Sequence, residues 1–136
     1  MLSYHADMEI NTNPYELGLD RLVDIDAEFD FIGKPALQKI RQTGVTRSHV
    51  GLIISGPAME GSNTRFWPLE KDGQLVGKVT SEVCSPRLEK NIALEVVDAN
   101  FSTLGTDFIV ITPKGNASTK VVKKPFFDAK KKLAAS

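Results

Sequence analysis

Two histidines, one cysteine and a crowd of carboxylates are where acid–base, nucleophilic or metal chemistry would have to start in this 136-residue sequence. His5 stands in Tyr4-His5-Ala6-Asp7, a base beside a carboxylate, which is the pairing general acid–base work needs. His49 opens an apolar run and reads as an ordinary surface or edge residue of a strand. Two histidines this far apart do not make a metal-ligand spacing. Cys84 lies between Val83 and Ser85-Pro86, with Arg87 as the nearby cation that could lower its pKa, and reads as a small apolar residue near a strand end. No Ser/His/Asp or Cys/His set is present. The glycines are spaced for turns and bends, so neither a dinucleotide fingerprint nor a phosphate-cradling loop occurs. Phe66-Trp67-Pro68 reads as wall or interface, or as an aromatic pair flanking a ring ligand at a barrel mouth.

The carboxylates are unevenly placed. Residues 1–30 hold eight of them against one base, Arg21, whereas residues 31–136 hold sixteen Lys/Arg against nine Asp/Glu. Such a shift marks an acidic arm, mostly solvated, in which a lone member such as Asp7 or Glu16 could face a ligand.

The elements that would position these groups follow from periodicity. The first thirty residues lack a clean period, and Asn13-Pro14 breaks any helix, which leaves an irregular arm with one short strand near Arg21–Ile25. Pro35 in a first turn, Ala36, Leu37 and Ile40 at helical spacing, and Gly44 as a stop predict one amphipathic helix over Lys34–Thr43. Strands follow at His49–Ile54, Arg65–Leu69, Leu75–Thr80, Ile92–Val97, Phe108–Thr112 and Lys120–Lys124. Asp72-Gly73 is a hairpin turn, since both residues tolerate positive φ. Asp98 caps a helical turn, and Gly51 and Gly77 inside strands signal a bulge or a bend. The fold expected is mainly β: a small, Greek-key-like antiparallel barrel of about six strands, preceded by one helix and the irregular arm.

Composition narrows the function classes. Apolar residues are 41% and charged residues 25%, as in an ordinary globule, and Lys plus Arg (17) equals Asp plus Glu (17). No net basic charge draws the chain to nucleic acid or anionic lipid, and the Lys130–Lys132 run reads as a solvated tail. The apolar runs are far shorter than the ~20 residues a membrane span takes, and no signal peptide is visible. A single cysteine excludes an internal disulfide and fits a reducing, cytoplasmic compartment.

Four stretches in this order resemble the glycine cleavage T-protein family. They are Ser3-Tyr4-His5-Ala6-Asp7-Met8 with Thr12-Asn13-Pro14-Tyr15-Glu16-Leu17-Gly18-Leu19; Asp30-Phe31-Ile32-Gly33-Lys34-Pro35-Ala36-Leu37; Val76–Ser81 with Ser85–Leu94; and Val122-Lys123-Lys124-Pro125-Phe126-Phe127-Asp128. The resemblance implies that residues 1–30 are the end of a folate-binding domain and residues 31–136 a C-terminal barrel. The family's Arg-x-Glu-x-Gly segment, which precedes the tyrosine, and its catalytic aspartate have no counterpart here. His5 stands in place of a usual glycine, and Glu82 and Glu95 in place of usual small residues.

The same resemblance implies tetrahydrofolate as cofactor of the full-length protein and Tyr4 and Asp7 as its cofactor-binding candidates. Tyr4 is either a ring-packing or hydrogen-bonding contact, or a buried tyrosine that fixes the arm. The function implied is the barrel of an aminomethyl or methyl transferase, without turnover alone. Its partners would be the N-terminal folate-binding domain of the same protein, a lipoyl carrier protein, or a small methylated zwitterion such as dimethylsulfoniopropionate. The alternative is a stand-alone binding module, forming a homodimer through its arm.

Overall fold

A computed structural model describes residues 2–127, 130, 132 and 133. Asp128 of the Val122–Asp128 stretch and Lys131 of the Lys130–Lys132 run lie outside the described residues. A 3-10 turn at Asp20–Leu22 precedes helix α1 (Lys34–Thr43), and six strands follow: β1 (Arg47–Ile54), β2 (Trp67–Lys71), β3 (Gln74–Ser85), β4 (Lys90–Asp98), β5 (Asp107–Thr112) and β6 (Gly115–Val122). They close into an antiparallel barrel in the order β1-β4-β3-β2-β5-β6, with β6 returning to β1. Closure leaves no sheet edge open to another chain.

The expected helix is present with the same bounds, and six strands form, four of which contain the expected ones. The strand expected at Arg65–Leu69 runs Trp67–Lys71. The one expected at Lys120–Lys124 starts at Gly115 and ends at Val122, because the β5–β6 turn takes only Pro113 and Lys114. The strand near Arg21–Ile25 is not. Leu22 N–H donates to Leu19 O and Val23 N–H to Asp20 O, so the backbone closes into a 3-10 turn, and Ile25 is buried beyond it. Asp72 and Gly73 both have positive φ, as the two-residue hairpin requires. Asp98 Oδ1 accepts from Asn100 N–H and caps a 3-10 turn over Ala99–Phe101. Gly51 lies in unbroken register with both neighbours, so it marks no bulge. It instead leaves room for the Lys124 and Phe126 side chains, which a Cβ would meet at 2.9 and 3.0 Å. Gly77 borders a register shift, and a Cβ there would collide with Val96 O.

Alternate residues of each strand fill the barrel: Val50, Leu52 and Ile54 from β1, Leu69 from β2, Val79 from β3, Ala93 and Val97 from β4, Phe108 and Val110 from β5, Val121 from β6. Glu95 stands among them, opposite Val50 and Val79, with 0% exposure. Neither of its carboxylate oxygens has a hydrogen-bond partner, and burial pushes its pKa up to about 9, so it is a neutral acid at pH 7. Outside the barrel, α1 is tied to the arm by polar contacts. Lys34 Nζ donates to Ala27 O and Phe29 O, and Arg41 pairs with Asp26 through two hydrogen bonds. Among the described residues no helix is long and apolar enough to cross a membrane.

Candidate functional site

The arm, β1, β3 and the segment after β6 meet around Asp7. A second irregularity in β3 creates the meeting point: Val79 faces Glu95 and Ser81 faces Leu94, so Thr80 is an extra residue. In a regular strand Thr80 and Ser81 would point to opposite faces. The extra residue lets both hydroxyls donate to Asp7 Oδ1, at 2.5 and 2.7 Å. Ser3 N–H donates to Asp7 Oδ2 at 2.8 Å, so both carboxylate oxygens are engaged. Burial of Asp7 raises its pKa, but the hydrogen bonds from Thr80, Ser81 and Ser3 outweigh that and hold it below the usual carboxylate value.

His49 sits beside this carboxylate. It was expected at the surface, and it is buried instead, because the arm covers the outer face of β1: His49 N–H donates to Glu16 O at 2.7 Å. Lys124 Nζ lies 2.9 Å from His49 Nδ1 and also donates to His49 O at 2.8 Å. An ammonium only donates, so Nδ1 is the acceptor and the ring proton is on Nε2, 4.0 Å from Asp7 Oδ1. Burial and the adjacent Lys124 charge lower His49 to about 4, so the ring is neutral at pH 7. Burial also lowers the pKa of Lys124. Glu16 makes the neighbouring tie, accepting from Arg47 Nε at 2.9 Å and from Asn13 N–H. Of the eight arm carboxylates, Asp7 and Glu16 are the buried pair, and the rest face solvent.

This cluster has no free nucleophile and no base open to solvent. It is a lock that seats the arm on the barrel. Asp7 spends Oδ1 on Thr80 and Ser81 and one bond of Oδ2 on Ser3 N–H, whereas Tyr4 is 56% exposed and lies tilted against His5 at a ring separation of 4.2 Å. That exposure removes the reading of Tyr4 as a buried arm anchor. His5 takes φ +70°, a left-handed conformation in which a glycine is at ease. Phe66 is exposed under the Lys78 ammonium, and Cys84 is a half-buried thiol. Among the described residues no three ligating side chains gather for a metal.

Beside the lock lies a groove of about 860 Å³, floored by Val83, Ile92 and Leu94 and walled by Leu2, Leu19 and Phe126. The sequence singled out Tyr4 and Asp7 but missed His49, Thr80, Ser81 and Lys124 as their partners. A signal existed, since Thr80-Ser81 and Lys124–Phe126 belong to the stretches that carry the family resemblance. Those stretches, far apart in sequence, converge here.

The family model for the glycine cleavage T-protein C-terminal barrel domain matches residues 47–128. An aminomethyltransferase of Synechococcus sp. (strain CC9902) is 39% identical over 125 residues, covering 91% of this chain and 33% of that protein. One from Clostridium botulinum (strain Loch Maree / Type A3) is 36% identical over 134 residues, covering 97% and 35%. The crystal structure of the glycine cleavage system aminomethyltransferase T from Bartonella henselae superimposes with a TM-score of 0.82 at 22% identity, over 93% of this chain and 35% of that one. The chain thus spans about one third of the length of the curated relatives it matches. By residue pattern and by fold it belongs to the glycine cleavage T-protein family, of which it carries the C-terminal barrel domain.

Proposed function

We propose that this barrel closes one side of the cleft in a tetrahydrofolate-dependent one-carbon transferase, with residues 1–30 continuing a folate-binding part. The observation that carries this reading is the exposed apolar surface of the arm. Ile10 is 94% exposed and Ile32 104%, and Leu22 and Phe29 are also largely exposed. α1 buries a single residue, Lys34. Four large apolar side chains left in solvent within residues 10–32 fit a surface that another body covers. The groove beside the lock is continuous with the arm through Leu2, Leu17 and Leu19.

Bound tetrahydrofolate would supply a secondary amine, N5, that takes up the one-carbon unit. Tyr4 fits an edge contact to such a flat ring, because it is exposed and its backbone is held by the Ser3–Asp7 hydrogen bonds. Asp7 fits as the residue that positions Tyr4 rather than as a direct ligand. The barrel's part is to exclude water and to hold that edge rigid, which favours transfer over hydrolysis. The donor would be a small amine or methylated zwitterion, presented free or on a lipoyl carrier. The departures at His5, Glu82 and Glu95 favour a demethylase-like branch over the standard cleavage enzyme.

The purified 136-residue chain, incubated with tetrahydrofolate and such donors, should give no turnover. Folate-dependent transfer by this chain alone would refute the reading. Light scattering over a dilution series separates it from self-association, since a concentration-dependent dimer that buries the arm would favour the stand-alone module.

A further inference from the structure

At one mouth of the barrel the loop 55–64 and the β5–β6 turn enclose a second cavity, of about 640 Å³, that the transferase reading leaves unused. Its size suits a small-molecule site. Pro57, Ala58, Met59, Trp67, Pro113 and Ala117 supply an apolar wall. Glu82 enters it from the inner face of β3, opposite Ala93. The wall is built in advance of any ligand. Asn91 donates to Pro57 O and accepts from Met59 N–H, while Asn63 donates to Arg65 O and Thr80 O and accepts from Glu82 N–H.

Glu82 is 3% exposed, and its Oε1 has no hydrogen-bond partner. A buried carboxyl oxygen without a donor is costly, and a ligand bearing one relieves that cost. Two further charges border the cavity, Glu60 and Lys114, so the lining carries a net negative charge when Glu82 is ionised. Trp67 supplies the aromatic surface that attracts cations most strongly. It packs against the core opposite Val79 and lines the same cavity as Glu82.

We propose that this mouth binds a small organic cation, an alkylammonium or quaternary ammonium group, between the Glu82 carboxylate and the Trp67 indole. The site shares Ser62 and Glu82 with the groove beside the Asp7 lock, but it does not rest on the folate reading. Burial raises the pKa of Glu82, and an arriving cation would favour its ionised form.

Trp67 is the single tryptophan of the chain, so its fluorescence reports on this cavity. The chain should be titrated with tetramethylammonium chloride at constant ionic strength, with sodium chloride and tert-butanol as controls. A saturable change with tetramethylammonium alone is expected, at least tenfold weaker in Glu82→Gln and unaltered in Glu60→Gln. The proposal is overturned by no saturable change, by an equal response to tert-butanol or sodium, or by a Glu82→Gln curve that overlays the wild type. Should Glu82→Gln fail to fold, amide and indole NMR shifts of the wild-type chain decide the matter. Perturbations must centre on Trp67, residues 57–61 and residues 113–118, and a map centred elsewhere overturns it.

Discussion

Replacing Glu95 with Gln should make the barrel more stable, by an amount that grows with pH. Glu95 is surrounded by Val50, Val79, Ala93 and Val97, and neither oxygen finds a donor. Its pKa rises from 4.5 to about 9 on folding. Between those values the unfolded chain has released a proton that the folded chain keeps. Stability therefore falls as pH rises, by about 1.4 kcal/mol per pH unit, is complete below 4.5 and reaches its full loss near 9. At pH 7 the cost of Glu95 is about 3 kcal/mol by this slope. The Gln amide is also buried without partners but does not titrate, so the variant lacks the slope. His49 acts oppositely, because its pKa falls from 6.5 to about 4 and its contribution is lost as pH drops through that window. Comparing wild type with Glu95→Gln cancels the His49 contribution. Urea denaturation followed by circular dichroism at pH 5, 6, 7 and 8 measures the difference. The two proteins should nearly coincide near pH 4.5 and diverge steadily above it. A gap that stays constant from pH 5 to 8 would show that Glu95 is solvated or paired, and would refute the reasoning.

Other consequences follow from the lock and the close approaches. Asp7→Ala strands the Ser81 hydroxyl and the Ser3 amide, while the Thr80 hydroxyl keeps Leu94 O as an acceptor, and should cost about 1–3 kcal/mol; hydrogen exchange should show protection lost at residues 3–8 and kept in β1 and β4. Gly77→Ala drives a Cβ into the Val96 carbonyl, which is backbone and cannot swing away, and should cost about 1–3 kcal/mol by thermal melting. Gly51→Ala meets only the Lys124 and Phe126 side chains and should cost less than Gly77→Ala; the reverse order would contradict the structure. His5→Gly removes a left-handed β-carbon and should raise the melting temperature slightly, a gain of about 0.5–1 kcal/mol.

The barrel was legible because its signals are local. The apolar run Ile92–Val97, the Asp72-Gly73 turn and the Pro35-to-Gly44 helix each report on a few consecutive residues, and each element forms there. The lock was not legible for the opposite reason. Asp7 meets Thr80 and Ser81 across more than seventy residues, and an extra residue in β3 breaks the alternation that would have assigned their faces. His49 looked like an edge residue because nothing in its own strand shows that the arm lies over it. Glu95 escaped notice as a core position since a carboxylate in an apolar pattern reads as the solvent face. The Arg21–Ile25 strand failed because apolar residues without a period can equally make a tight turn. The resemblance marked Tyr4 and Asp7, which periodicity could not, but it gave no sign that Thr80, Ser81 and Lys124 meet them.

The central claim is that this chain serves as the closing barrel of a folate-dependent transferase, and a chimera tests it most directly. The last third of the Synechococcus aminomethyltransferase would be replaced by this chain, and aminomethyl transfer to tetrahydrofolate compared with the truncated enzyme that lacks the third. The account predicts that the chimera folds and recovers transfer, and that Tyr4→Ala in it lowers transfer while leaving stability unchanged. A chimera that folds but transfers no better than the truncated enzyme would contradict it.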